Sequence, residues 1–411
     1  MKMFVSFGLS IALCFASALR GVRTANIPVP LERGISTPDI SSEPVHIDLT
    51  VWRRGRIELQ WSGNVAVGSP PQNFNVVFDT GAPFLVLPGS NCTMCGHHPL
   101  FDPSNSSTFS NQPGIRLEGV FAGSSGDTLP PTDGQGANCT VVTDTVHIVD
   151  RNAPQQQFLL CDVYSQPLAE QLADGIFGLS STHNFTFGPW SNFQTAYGNL
   201  VRSGELRQPE FGFSYVETKD RAGRLTLGGT DRSLYIPRTL KTIPLDWPLS
   251  EGRASWVVGV HAARIGDALL ANSSNSVTLV DTGAAVVITP DFDTTRDLYA
   301  LMSNQIQPMG DRTWGAPCHV LDSVVEDVTF TFGGDTAGQQ VEVKIDKRFV
   351  NVGEYPGKPG ICQGVFLDPV RPAREPLHGR RAWIIGSPLL RSYYTVWNGE
   401  TGTLGFARPS C

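Results

Sequence analysis

From Ile57 onward the chain is a series of short apolar runs separated by turn residues. Val65-Ala66-Val67, then Gly68-Ser69-Pro70-Pro71, then Phe74-Asn75-Val76-Val77-Phe78 predicts strand, turn and strand. Val141-Val142, Val146-His147-Ile148, Phe211-Gly212-Phe213 and Leu225-Thr226-Leu227 continue the pattern. Helical segments are few: Leu168 to Leu172, Phe193 to Val201 and Asp293 to Met302. The predicted fold class is therefore all-β dominated.

The chain also repeats itself once. Val76-Val77-Phe78-Asp79-Thr80-Gly81-Ala82 returns as Thr278-Leu279-Val280-Asp281-Thr282-Gly283-Ala284, with the two aspartates 202 residues apart. An apolar-apolar-Gly step follows each copy: Ile176-Phe177-Gly178 and Ile384-Ile385-Gly386. The Asp-to-Gly spacings are 99 and 105 residues. Two motifs repeated in the same order at similar spacing predict a duplicated β-lobe. We expect an N-terminal lobe over residues 57–216 carrying Asp79 and a C-terminal lobe over residues 217–411 carrying Asp281.

Ahead of the lobes, residues 1–18 read as a secretory signal peptide. Lys2 is followed by the apolar stretch Phe4 to Phe15 and by the small residues Ala16-Ser17-Ala18. Residues 19–56 are polar and end in Arg53-Arg54-Gly55-Arg56. They read as a propeptide with a processing site, against the plainer alternative of a disordered leader. No other stretch reaches the roughly 18 apolar residues of a membrane span, so no membrane anchor is expected. Five Asn-x-Ser/Thr sequons, at Asn91, Asn105, Asn138, Asn184 and Asn272, point to an exported glycoprotein.

Export makes the cysteines candidates for disulfides. Beyond Cys14 in the signal, seven remain: Cys92, Cys95, Cys139, Cys161, Cys318, Cys362 and Cys411. The odd count leaves one over. Cys92 and Cys95 have the spacing of half a zinc site, but no second half completes it, so no metal is expected. The chain has 411 residues, 40% hydrophobic and 17% charged, which suits large packed cores. A net charge of -7 excludes the basic footprint of a nucleic-acid binder. His97, His98 and His183 read as surface polar groups, and Trp383 and Trp397 as packing residues. There is no serine-nucleophile elbow, dinucleotide fingerprint or P-loop.

The chemistry follows from the repeat. Each apolar strand delivers an aspartate to a turn where glycine permits close backbone approach. Thr80 and Thr282 can hydrogen-bond across to the other copy. Two carboxylates brought together cannot both ionise easily, so they share a proton. One then acts as base on a water while the other donates to a carbonyl oxygen. That hydrolyses an amide with no metal and no cofactor.

These residues resemble the pepsin-type aspartic endopeptidases, and the fungal secreted members more than the animal ones. The resemblance runs from about Trp61 to Ala407. It includes both Asp-Thr-Gly triads, Gly68-Ser69-Pro70-Pro71-Gln72, Phe101-Asp102-Pro103, Asp174-Gly175-Ile176-Phe177-Gly178-Leu179, Leu225 to Asp231, and Ile384-Ile385-Gly386. It implies a bilobal fold with a central active-site cleft, one catalytic aspartate from each lobe, and a disulfide between Cys318 and Cys362. It also implies a monomer acting on an extended polypeptide at acid pH, secreted or within the secretory pathway.

Two departures stand out. Ala82 and Ala284 replace residues whose hydroxyl can bond the carboxylate, so the pair's pKa values are expected to sit higher than usual. The family's flap tyrosine and its supporting tryptophan are missing, and Val86 stands at the tryptophan position. The flap region, Arg116 to Asp144, has its expected tip at Thr132, Asp133 and Gly134. This altered lid leaves two alternatives open beside proteolysis: acid/base chemistry on a small molecule in secondary metabolism, or a non-proteolytic binding role.

Overall fold

In the computed structural model the strand Gln72–Asp79 runs parallel to Gly175–Gly178, with Asp79 opposite Gly178. In the second half Ser276–Val280 runs parallel to Arg381–Ile385, with Val280 opposite Ile385. The register offsets equal the 99- and 105-residue spacings read from the sequence. A third strand lies on the far side of each partner. Leu85–Pro88 pairs antiparallel with Gly175–Gly178, and Val287–Ile288 pairs antiparallel with Arg381–Ile385. Each aspartate turn thus arches over the end of a strand supplied about a hundred residues later. The structure describes residues 43–120, 136–180, 184–187, 190–219, 221–246, 256–333, 340–369 and 381–410.

The described residues form 27 strands and five α-helices, and no helix among them is longer than 11 residues. The fold is bilobal and pepsin-like. A thirteen-stranded sheet runs through the N-terminal lobe and into a central set of strands. The C-terminal lobe adds an eight-stranded and a four-stranded sheet. In the central set, Glu210–Ser214 pairs with Gly223–Leu227 on one side and with Tyr394–Asn398 on the other. The expected boundary at residue 216 therefore runs between neighbouring strands of one shared sheet.

The predicted helices are present with shifted ends, as Gln166–Ala169, Ala196–Arg202 and Phe292–Met302. The last two are capped by Thr195 and Asp291, whose side chains accept backbone N–H groups of the first turn. Cys318–Val324 and Ser387–Leu390 are helices that the sequence pattern did not suggest.

Part of the expected leader is integral to the sheet. Val45–Arg54 is a strand between Gly223–Leu227 and Ile57–Val67. Val45, Ile47 and Leu49 point into the core while His46, Asp48 and Thr50 face out. Burying each such apolar side chain is worth roughly 1.5–3 kcal/mol. The strand runs into the basic cluster Arg53-Arg54-Gly55-Arg56. The cluster itself is ion-paired: Arg53 with Glu58 at 3.0 Å and Glu217 at 2.8 Å, and Arg56 with Asp322 at 2.6 Å.

Three disulfides join Cys92 to Cys95, Cys139 to Cys161, and Cys318 to Cys362, while Cys411 lies outside the described residues. Cys139 and Cys161 face each other across Ala137–Ile148 and Arg151–Tyr164. Their sulfurs sit in a separate small core with Phe84, Val86, Leu117 and Phe193. Val86 is fully packed there, where the family carries tryptophan. Replacing both Cys139 and Cys161 by serine should lower unfolding stability by about 2–4 kcal/mol, the usual contribution of a cross-link. Chemical denaturation of the parent and the double variant measures this, and equal midpoints would refute it.

Candidate active site

Both aspartate turns are held by the same local bonds. The Gly81 N–H donates to Asp79 Oδ1 at 2.7 Å, and the Gly283 N–H donates to Asp281 Oδ1 at 2.8 Å. Ala82 and Ala284 close the turns by donating to the Asp79 and Asp281 carbonyls, each at 3.4 Å. The chain then crosses over the Ile-x-Gly step. A Cβ placed on Gly178 would lie 2.5 Å from the Ala82 carbonyl oxygen, and one on Gly386 would overlap the Ala284 carbonyl. The second repeated motif ends in glycine because the aspartate loop passes directly over it.

The two turns are then tied to each other. The Thr80 hydroxyl donates to the Val280 carbonyl at 3.0 Å and accepts the Thr282 N–H at 3.0 Å. The Thr282 hydroxyl donates to the Phe78 carbonyl at 2.7 Å and accepts the Thr80 N–H at 2.9 Å. Both threonines are buried. Removing either hydroxyl would orphan buried backbone groups at a cost of roughly 1–3 kcal/mol each.

This lattice brings the carboxylates together. The side chains of Asp79 and Asp281 hydrogen-bond each other. A Cβ on Gly81 would sit 2.5 Å from Asp281 Oδ2, and one on Gly283 would sit 2.5 Å from Asp79 Cγ. Each glycine is thus the space the opposite carboxylate occupies, a tighter demand than the turn alone makes. Burial pushes the Asp281 carboxyl above its ordinary value of 3.8. The bond to Asp79 and the N–H groups of Gly283, Gly81 and Ala284 offset part of that rise. Such a pair titrates as a unit, with one proton held between two carboxylates.

A matching set of aligned elements extends well beyond the two turns. The eukaryotic aspartyl protease family matches residues 60–409. The chain belongs to that family. Similar members include "Pepsin F" of Oryctolagus cuniculus, 26% identical over 378 residues, which is 91% of this chain and 85% of that protein. "Pregnancy-associated glycoprotein" of Equus caballus is 28% identical over 364 residues, 86% of this chain and 82% of its own. "Cathepsin E" of Cavia porcellus is 24% identical over 359 residues, 85% of this chain and 81% of its own. These relatives are vertebrate proteins, and they lend no support to the expected closer likeness to fungal members.

Within this aspartyl protease the expected flap tip, Thr132, Asp133 and Gly134, lies outside the described residues, as does His183. Among the sequons, Asn91, Asn105 and Asn272 are exposed and Asn138 is half-buried, while the Asn184 side chain is not described. Trp383 and Trp397 are buried packing residues. His97 is exposed, but His98 is a correction to the reading of both as surface groups. Its side chain is only 7% exposed, and Nδ1 lies 3.1 Å from Asp174 Oδ1. Its partner Asp174 lies 76 residues further on, a tertiary pairing that a lone histidine in a polar stretch does not announce.

Sequence reasoning also missed Tyr215. Its buried phenol is pushed well up by burial and by the negative charge of Asp281 and Asp79. Its ring packs edge-on against Trp61 at 4.6 Å. The alternation Phe211, Phe213, Tyr215 was the available signal, because a period of two sets all three on one face.

The raised Asp281 value has a consequence for stability. A folded-state pKa above the unfolded one contributes stability that is complete below about 3.8 and is lost as pH rises through the raised value. Asp281→Asn removes that titration. Its melting temperature relative to the parent should rise between about pH 3.5 and pH 7. A parent-to-variant difference that does not change with pH would refute this.

Proposed function

We propose that the protein is a secreted aspartic endopeptidase that hydrolyses peptide bonds with water activated by the Asp79–Asp281 pair. The observation that carries this reading is the mutual approach of the two carboxyls, each with the opposing Asp-Thr-Gly glycine at its back. An ionised member takes a proton from water. The protonated member donates to the substrate carbonyl, which stabilises the charge that develops on oxygen. Thr80, Gly81, Thr282 and Gly283 act as positioning residues. No cofactor enters this scheme.

The substrate is a polypeptide, bound extended between the lobes of a monomer. Acid pH favours the half-protonated pair, so activity should be greatest there. Export is supported by the signal-like residues 1–18, the sequons and the three disulfides. No helix of the described residues is long and apolar enough to cross a membrane.

Purified protein should cleave an unfolded polypeptide at about pH 3 to 6, with inhibition by a transition-state mimic of the pepstatin type. Asp79→Asn and Asp281→Asn should each lower kcat at least roughly 1,000-fold. Cleavage that survives either change, or that shows no acid dependence, rules the reading out.

The alanines make a second test. In similar enzymes the residue after the first Asp-Thr-Gly carries a hydroxyl that bonds the carboxylate. Ala82→Ser should restore a donor to the charged form and move the acidic limb of the pH–rate profile to lower pH. An unmoved or upward-shifted limb would show that Ala82 does not set the pair's titration.

A further inference from the structure

Tryptophans occupy equivalent positions beside both aspartate strands. Ser62 lies opposite Val77, and that register sets Trp61 opposite Phe78, the residue before Asp79. Val257 lies opposite Leu279, and Trp256 continues the register opposite Val280, the residue before Asp281. The Val280 N–H donates to the Trp256 carbonyl at 3.0 Å. The two then diverge. Trp61 turns its ring to Tyr215. Trp256 reaches into the other lobe, where its indole Nε1–H donates to the Leu179 carbonyl at 2.7 Å. Leu179 follows Gly178, and its own N–H donates to the Asp79 carbonyl at 2.7 Å.

Trp256 therefore holds the frame of both aspartates, Asp281 through its backbone and Asp79 through its ring. The ring has little freedom. It is fully buried, edge-on to Phe211 at 5.6 Å and to Trp397 at 5.2 Å, and those two rings stack on each other. The threonine lattice joins the loops at one place. A joint at one place permits the loops to rotate about it, and a second attachment removes that rotation. Proton sharing depends steeply on the spacing and angle between the carboxyl oxygens.

We infer that Trp256 is a positioning residue that fixes the orientation of the Asp79 loop against the Asp281 loop through its indole bond to Leu179. It touches neither carboxylate and acts through backbone on both sides. The inference builds on the proton-sharing role proposed for the pair. Tyr215 is a neighbouring titratable group that feels the pair's charge and, with its phenol held protonated, returns none to it.

Trp256→Phe deletes the indole N–H, keeps a ring, and leaves the Leu179 carbonyl without that donor. Trp383→Phe is the control, since Trp383 is also buried, donates to the Ser276 hydroxyl at 3.2 Å and packs edge-on to Phe330. Carbon-13 NMR of aspartate carboxyls in the labelled full chain reads the pair's two titration steps without turnover. In Trp256→Phe the two steps should move toward each other, because a looser pair is less coupled. With a peptide substrate, kcat should fall roughly 10- to 100-fold while KM changes much less. Trp383→Phe should lower the melting temperature and leave both steps unmoved. In the unaltered protein the Trp256 indole nitrogen-15 resonance should shift at the pair's two midpoints, and that of Trp383 should not. This last measurement needs no variant to fold. Parent-like steps in Trp256→Phe, equal movement in Trp383→Phe, or a Trp256 resonance insensitive to the pair would each overturn the inference. Absence of cleavage by the parent would sink the proposed protease activity alone, since the NMR titrations stand apart from catalysis.

Discussion

Four hydrogen bonds made by two buried threonine hydroxyls hold the molecule at its most improbable point. They press together two side chains that, both ionised, repel each other. At about 4 Å that repulsion is roughly 4 kcal/mol for an effective dielectric near 20. The four bonds contribute about 0.5–1.5 kcal/mol each in net terms, so lattice and repulsion are of similar size. A single shared proton tips the balance, because it removes the repulsion and adds a bond between Asp79 and Asp281. The geometry and the protonation state are therefore one constraint. Everything that orients Thr80 and Thr282 also sets how tightly that proton is held.

That constraint explains the duplicated architecture around it. Each lobe supplies a strand, an aspartate turn and a glycine over which the turn crosses. The six-residue difference between the two offsets is absorbed between the motifs, and the local pairing is the same in both lobes. Symmetry fails in the supporting shell. Trp61 packs on Tyr215 within reach of the pair's field, whereas Trp256 crosses to Leu179. Two like carboxylates in identical surroundings have no reason to differ. Unequal surroundings supply one, which suits a pair whose members are to act as acid and base.

The pair and its register were legible because both are written as local motifs with a fixed offset. Asp79 and Gly178 sit opposite each other at the spacing their sequence separation gives. The strand at Val45–Arg54 was also written, as the alternation Val45, Ile47, Leu49, but its polar flank and basic end obscured it. The inward turn of His98 and the pairing of Cys139 with Cys161 depend on partners 76 and 22 residues away, and no local pattern encodes either. The short helices Cys318–Val324 and Ser387–Leu390 are set by the strands they follow. Trp256 and Trp61 are core residues that no sequence motif singles out. Their further significance lies in which backbone groups they meet.

Desolvation of the half-buried Asp281 links the proposed activity to stability through a single quantity. The same desolvation that raises Asp281 penalises the folded state once the pair must carry its full charge. At acid pH the half-protonated pair is both the state that the proposed reaction uses and the state that the buried site tolerates best. At neutral pH both advantages fade together. A hydroxyl donor to the carboxylate would ease the charged form and weaken this link. With Ala82 and Ala284 in those positions, relief comes from the backbone N–H groups of Gly81, Gly283 and Ala284. Those donors are fixed by the turns themselves, so the pair's titration is bound to the fold more closely than a side-chain donor would make it.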